Sequence, residues 1–294
     1  MEQYIKIPQA IHSNYDGFTA LLNIIKYYID GKKSDTLIHD FRANTWFDAN
    51  LLPVIFAIVE FGRTKGIDSS YLNQPHCKLH ELLIRNGFGK YCFELPHQPR
   101  QQETVIPFKI FRAPDTYGFS AYMDSELLRY FPDMDFSIKR AISTYIQELF
   151  GNAQIHGNCS HVYTCGQYYY KNHIMDFTIV NLGKTISDNV VEFLMELNAE
   201  LPSNNIAWAV EPNHSTKRSN SGGIGLTLMR DFIHFNCGKF QIVSGNEFWE
   251  LDGNTESTRN FEISFPGTII NIEIDQNDKN FYRDVRESIF EPIF

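Results

Sequence analysis

The sequence has few cysteines and no disulfide pattern. Its 294 residues include five cysteines, an odd number, and no Cys-x-x-Cys motif. This usage indicates reduced thiols in a cytoplasmic protein rather than a disulfide framework. A zinc site is poorly matched as well, because the spacings among Cys159, His161 and Cys165 fit no standard closed site.

The sequence also lacks a leader and an apolar segment of membrane length. Its start, MEQYIKIPQ, has no basic region followed by an apolar one, so we expect no signal peptide. The longest apolar run, LLPVIFAIV at Leu51–Val59, has about half the length of a membrane span. We therefore expect a soluble, cytoplasmic protein with no membrane segment.

Positive charge is in deficit, with 26 Lys and Arg against 35 Asp and Glu, and a net charge of -9. This balance argues against nonspecific binding to nucleic acid or to an acidic membrane, which needs a basic surface. A local basic patch is still compatible with it. Hydrophobic residues make up 43% of the chain, enough for a sizeable core.

One change in composition divides the chain. The segment LPHQPRQQETVIP, Leu95–Pro107, contains three prolines and little hydrophobic periodicity. It predicts a linker at 96–107, between an N-terminal domain at 1–95 and a C-terminal domain at 108–294.

Strand and helix patterns alternate in the N-terminal part. TLIHDF (Thr36–Phe41) predicts a buried strand, and Asp48–Gly66 predicts a helix that Asp48 caps and Gly66 ends. IDSSYLN and KLHELLIRNGFG then predict a strand and a short helix. This alternation predicts an α/β domain.

The C-terminal part has a different order of elements. Met134–Gly157 predicts one long helix, and HVYTCGQYYY and HIMDFTIVNLG predict the two strands of a hairpin. Two more helices follow, the second after a glycine turn, and then two strands. This order predicts an α+β fold, in which helices cover a mixed or antiparallel sheet.

Three polar residues recur at steps of four in the long helix: Glu148, Asn152 and His156. They border its apolar face, where a half-buried ionisable group can acquire a role. Glu148 is a candidate general base, and the Asn152 carbonyl oxygen suits Mg²⁺. The alternative is a solvated polar stripe.

Two later segments could contact phosphate or a base. Gly222, Gly223 and Gly225 precede a helix, where free N–H groups favour anions, and Lys217 and Arg218 lie in the flexible segment before them. The alternative for both is an ordinary surface loop.

A polar residue also lies at the end of one predicted strand. Asn181, with Gly183 close behind, stands where a polar side chain can read a base edge. The alternative is a simple strand-to-turn transition.

The order of these motifs resembles the ATP-binding domain of the GHKL superfamily, which includes gyrase, histidine kinases and anti-sigma-factor serine kinases. The resemblance covers about Tyr130–Ile274 and rests on ELFGNAQIH and GGIGL, with GTIINIEI similar to the closing strand of the family. It implies a two-layer α+β sandwich of the GHKL (Bergerat) type that binds ATP and Mg²⁺.

The resemblance also implies roles for individual residues. Asn152 would coordinate Mg²⁺, Glu148 would activate water or a substrate hydroxyl, and His156 would lie near the phosphates. Gly222, Gly223 and Gly225 would pack on the phosphates, assisted by Lys217 or Arg218. One motif departs from the family, because Asn181 and Thr185 stand where it has an Asp that accepts the adenine amino group and a second glycine. A pseudo-ATPase is therefore a second possibility.

The N-terminal part resembles a STAS domain over about Lys33–Gly89. Classical phospho-switch members have a serine after an Asp at the start of the helix, whereas Ala49 and Asn50 follow Asp48 here. The resemblance therefore implies docking or regulation and no phosphorylation switch.

Three functions remain open at this point. The first is an ATP-dependent regulatory protein, which hydrolyses ATP slowly or phosphorylates a protein Ser/Thr. The second is an inactive interaction module, in which bound ATP or ADP controls the binding of a protein partner. That partner would contact the STAS-like part or the basic segment around Lys217 and Arg218, which would act as a lid over the nucleotide. The third is a structural α/β protein. A histidine kinase is disfavoured, because no helical hairpin with a phospho-accepting His precedes Tyr130, and a homodimer is possible.

Overall fold

The computed structural model describes residues 2–72, 78–92, 94, 104–132, 134, 136–216 and 225–277. The strands in this part are β1 Glu2–Lys6, β2 Ala10–Ile11, β3 Thr36–Asp40, β4 Trp46–Phe47, β5 Asp68–Leu72, β6 Val105–Arg112, β7 His161–Tyr169, β8 Ile174–Leu182, β9 Lys239–Asp252 and β10 Thr255–Asp275. The helices are α1 Tyr15–Asp30, α2 Leu52–Thr64, α3 Lys78–Arg85, α4 Gly89–Cys92, α5 Thr116–Tyr122, α6 Phe136–Ile155, α7 Ile186–Glu196, α8 Asn205–Val210 and α9 Gly225–Asn236.

The N-terminal part forms a small parallel sheet in the order β1-β3-β5. The helices α1 and α2 connect its strands, as parallel pairing requires. The α1 helix begins where the Asn14 side chain accepts a hydrogen bond from the Gly17 N–H at 2.9 Å. The strands predicted at Thr36–Phe41 and Ile67–Asn73 are confirmed as β3 and β5.

The C-terminal part is built on a five-stranded sheet in the order β6-β7-β8-β10-β9. Every neighbouring pair in it is antiparallel, including the predicted β7–β8 hairpin. The long helix expected at Met134–Gly157 is α6, which packs with α5, α8 and α9 on one face of this sheet. The predicted antiparallel sheet with a helical cover is confirmed, and the chain as a whole is a mixed α and β structure.

The helices α1 and α2 lie between the two sheets. Their apolar residues share one buried cluster with side chains of β3 and with the other face of the large sheet, for example Phe56 with Tyr163 and Phe108. The ring centroids of Phe56 lie 5.2 Å from each of those two partners. The successive layers are therefore small sheet, helices, large sheet and helices.

Two predictions near this interface need correction. Asp48 does not cap the helix with its side chain, which instead accepts hydrogen bonds from the Ser13 N–H and the Trp46 indole, both at 2.7 Å. A short 3-10 turn, Ala49–Leu51, leads into α2 instead. The last three residues of the predicted linker, Val105–Pro107, belong to β6. The rest of that linker, except Thr104, lies outside the described residues.

A strip of buried polar side chains lies where α2 begins. The Asn50 amide donates to Asn271 Oδ1 at 2.8 Å, and the Thr178 hydroxyl donates to the same oxygen at 2.7 Å. Next to them, Asp176 on β8 and Glu273 on β10 are cross-strand partners. The interface between the two parts is therefore partly polar.

No helix in the described part of the chain is long and apolar enough to cross a membrane. The cysteines in that part are free thiols: Cys92, Cys159, Cys165 and Cys237.

Candidate functional site

The polar stripe of α6 leads into an open pocket. Asn152 and His156 lie near the C-terminal end of the helix, are both half-buried, and line this pocket. It encloses about 700 Å³ of space, its opening to solvent included. At these two positions the stripe therefore borders a pocket, and the alternative of a solvated helix surface does not apply.

The strands β8 and β10 supply another wall. Asn181 and Thr268 are paired across the two strands and both line the pocket. Asn181 is 5% exposed, and the Thr268 hydroxyl lies 2.8 Å from the Ser244 hydroxyl. The structure thus brings Asn181 to the same pocket as Asn152, although 29 positions separate them in the sequence.

Two buried amide atoms at this pocket lack a hydrogen bond to any protein group in the structure as described: Asn152 Oδ1 and Asn181 Nδ2. A buried polar atom without a partner costs about 1–3 kcal/mol. In folded proteins such atoms usually pair with another protein group, an ordered water or an ion. One is an acceptor and the other a donor, so together they suit a ligand that carries both kinds of group.

Two glycines allow the close approach that places Asn181. A Cβ atom on Gly157 would lie 2.6 Å from Asn181 Nδ2, and a Cβ atom on Gly183 would lie 2.0 Å from the Gly157 carbonyl oxygen. Gly183 also has φ of 137°, a conformation that favours glycine. The Lys184 N–H donates to the Gly157 carbonyl at 2.8 Å and ties the end of α6 to the turn after β8.

Several residues that line the pocket were missed from the sequence. They are Lys184, Asn189, Trp208, His214, Thr216 and Thr268. The Trp208 and His214 rings are stacked, with centroids 4.4 Å apart. The Asn189 amide donates to the His156 carbonyl at 3.1 Å, and Lys184 forms an ion pair with Glu192. Of these, Lys184 follows Gly183, and His214 and Thr216 lie just before Lys217 and Arg218, so these three stand next to predicted site residues.

The candidate base Glu148 occupies a different place. It lies one turn before Asn152 on α6, is half-buried, and is not among the described residues that line the pocket. Its side chain packs against Gly225, the first residue of α9. A Cβ atom on Gly225 would lie 2.9–3.0 Å from three Glu148 carbons. A glycine is therefore needed where α9 begins, and Glu148 contacts the end of the predicted glycine segment.

The remaining predicted site residues are Lys217, Arg218, Gly222 and Gly223, and these lie outside the described residues. The described chain stops at Thr216 and resumes at Gly225, and both of these positions are at the site. The Thr216 hydroxyl is 3.4 Å from His156 Nδ1. The basic and glycine-rich contributions to the site thus stay predictions.

The donor set at the pocket fits magnesium in a limited sense. Mg²⁺ binds through one or two protein oxygens together with phosphate and water oxygens. Asn152 Oδ1 is a buried carbonyl oxygen that no described protein group satisfies, which is the kind of ligand this ion accepts. The pocket therefore suits an ion that enters together with phosphate.

The site stands without support from known relatives. The chain matches no protein-family model, and no curated protein is similar to it at a significant level.

Proposed function

We propose that this chain is a Mg-ATP-binding regulatory protein of the GHKL type, with a STAS-like interaction part at its N-terminus. The observation that carries the proposal is the convergence of Asn152 and Asn181 on one pocket, each with a buried amide atom that lacks a partner among the described residues. The pocket also has apolar walls, from Leu149, Val190 and Ile270, that suit a purine ring.

In this proposal different residues contact the base and the phosphates. Asn181 and Thr268 hold the base, and Asn152 would hold Mg²⁺ through its amide oxygen. The ion would neutralise charge on the phosphate oxygens during transfer. His156, Lys217 and Arg218 assist at the phosphates, and Gly222, Gly223 and Gly225 let the backbone approach them.

Glu148 is the proposed base. It would accept a proton from water in a slow ATPase, or from the hydroxyl of a protein Ser/Thr in a kinase. Its side chain lies beside Gly225, the first residue of α9, where the proposal places the phosphates. The segment His214–Gly223, which contains Lys217 and Arg218, is the proposed lid.

Calorimetry with Mg-ATP and Mg-ADP tests this function on the full chain. Trp208 offers a parallel signal, because it lines the pocket and stacks on His214, so bound nucleotide should change its emission saturably. The variant Trp208→Phe should remove the emission change and retain calorimetric binding. Absence of binding at millimolar nucleotide in both measurements would refute the proposed function.

A second candidate is an inactive module in which nucleotide gates a protein interaction. The position of Glu148 outside the pocket lining favours it, as does the neutral Asn181. The two candidates differ in turnover. The first forms ADP, with or without a phosphoprotein, from bound ATP, and the second forms neither product.

The partner in either case is a protein that contacts the lid or the STAS-like part. A second copy of this chain, forming a homodimer, is one such partner. The inner faces of α1 and α2 are covered by the large sheet of the same chain. A partner therefore has to use another surface of the N-terminal part.

A further inference from the structure

The amide of Asn181 bears on which base the pocket accepts. It is 5% exposed, and its Nδ2 donor is buried with no partner in the part of the chain that the structure describes. The backbone of Gly157 lies so close that even a methyl group there would clash with this nitrogen. The Gly157 backbone therefore limits how far the Asn181 amide can move, and a ligand that contacts the amide has to match it.

The surroundings of Asn181 suit a neutral flat ring rather than a phosphate. The apolar residues Ile186, Val190 and Ile270 line the same pocket, and the hydroxyl of Thr268 stands beside Asn181 across the strands. The cation that lines the pocket in the described residues, Lys184, is already paired with Glu192.

An amide and a carboxylate differ in what they select. A carboxylate only accepts hydrogen bonds, so it pairs with an exocyclic amino group and repels a carbonyl oxygen. An amide has a donor and an acceptor side by side. Rotation by 180° about its last torsion exchanges the two atoms without moving the rest of the side chain.

We infer that the pocket accepts 6-oxopurine nucleotides as well as adenine nucleotides, because Asn181 matches both base edges. With adenine, the amide oxygen accepts from the 6-amino group and the NH₂ donates to N1. With hypoxanthine, the flipped amide donates to the 6-carbonyl and accepts from N1–H. The inference rests on the proposed nucleotide site, and it assigns to Asn181 a relaxed base specificity.

The test is calorimetry on the full chain at pH 8 with Mg-ATP and Mg-ITP. The wild type should bind the two nucleotides with dissociation constants within about threefold of each other. In Asn181→Asp, ITP should bind at least about tenfold more weakly than ATP, since a wrong pairing leaves buried groups unsatisfied. In Asn181→Ala, both should weaken by a similar factor.

The outcomes separate this inference from the proposed function. ATP binding with ITP rejected more than tenfold by the wild type overturns the inference and leaves the nucleotide site standing. An unchanged ATP/ITP ratio in Asn181→Asp, or unchanged affinities in Asn181→Ala, also overturns it, because Asn181 then does not read the base. Binding of neither nucleotide by the wild type refutes both. Thermal unfolding would reveal a variant that fails to fold. In that case the ratio of the ATP and ITP dissociation constants of the wild type still decides whether the inference holds.

Discussion

Asn181 on β8 and Thr268 on β10 are direct cross-strand partners whose side chains line one pocket, opposite the end of α6. Side chains alternate between the faces of a sheet, so the neighbouring pairs of the same two strands point the other way. Thr178 with Asn271 lies in the buried polar strip against the N-terminal part. The same strand pair therefore forms both the candidate site and the interface with the N-terminal part.

Asn152 gives the most direct test of the magnesium role. In Asn152→Ala, we expect Mg-ATP to bind roughly 10- to 100-fold more weakly, because an interaction with a charged group is worth about 1.5–3 kcal/mol. The matched control is Gln154→Ala, which changes an exposed side chain on the same helix. Calorimetry with and without Mg²⁺ measures the effect, and equal affinities in Asn152→Ala and wild type would remove Asn152 as a ligand.

Glu148 separates the two candidate functions. Glu148→Gln keeps the shape of the side chain and removes the base, so turnover should fall by about 10²–10⁴ while nucleotide binding is retained. Release of ADP and transfer of labelled phosphate to protein are the two readouts. A wild type that binds ATP but forms neither product is an inactive module. A variant as fast as an active wild type would show that the base is another group.

Gly151 in α6 and Gly157, two residues after its end, offer a matched pair of substitutions. Gly157→Ala should weaken nucleotide binding and lower the free energy of unfolding by about 1–3 kcal/mol, because its Cβ would lie 2.5 Å from the Ala153 carbonyl oxygen and 2.6 Å from Asn181 Nδ2.

Gly151→Ala is the control, since nothing lies within 4 Å of a Cβ at that position in the middle of the helix. It should raise the free energy of unfolding by about 0.5–1 kcal/mol and leave binding unchanged. Chemical denaturation and calorimetry measure both quantities. Equal effects of the two substitutions would contradict the close packing at Gly157.

Periodicity predicted the local elements, and its failures have physical reasons. The helix α6 and the β7–β8 hairpin follow from sequence pattern alone. The residues Leu52–Val59 of α2 are all buried, as expected for a segment covered on two faces, but the sequence does not say which sheets cover it. Asp48 resembled a cap because it precedes α2, yet its carboxylate is held by Ser13 and by the indole of Trp46.

The residues of the candidate site were likewise predicted only in part. Asn152 and Asn181 were found because each stands in a short motif. Thr268 and Trp208 were not, because their place at the pocket depends on strand register and on the packing of α8, which are long-range properties. The glycine and basic segment was predicted from its motif and lies outside the described residues, so its place at the site stays a prediction.

The buried pair Asp176 and Glu273 predicts a dependence of stability on pH. Burial raises the pKa of Asp176 well above its usual range, and the neighbouring carboxylates of Glu273 and Asp48 raise it further. Burial also raises the pKa of Glu273, although Lys239 opposes this. The raised pKa favours the protonated form of Asp176 in the folded protein.

Because the folded pKa is raised, this proton stabilises the fold fully below the unfolded pKa of about 3.9, and the contribution is lost as pH rises towards the folded pKa. Asp176→Asn removes the titration and keeps a donor. Its melting temperature relative to wild type should therefore increase from pH 5 to pH 8. Each unit of pKa shift corresponds to about 1.4 kcal/mol, or roughly 2–4 °C. The control Asp30→Asn changes an exposed carboxylate at the end of α1. A pH dependence of Asp176→Asn no larger than that of this control would contradict the raised pKa of Asp176.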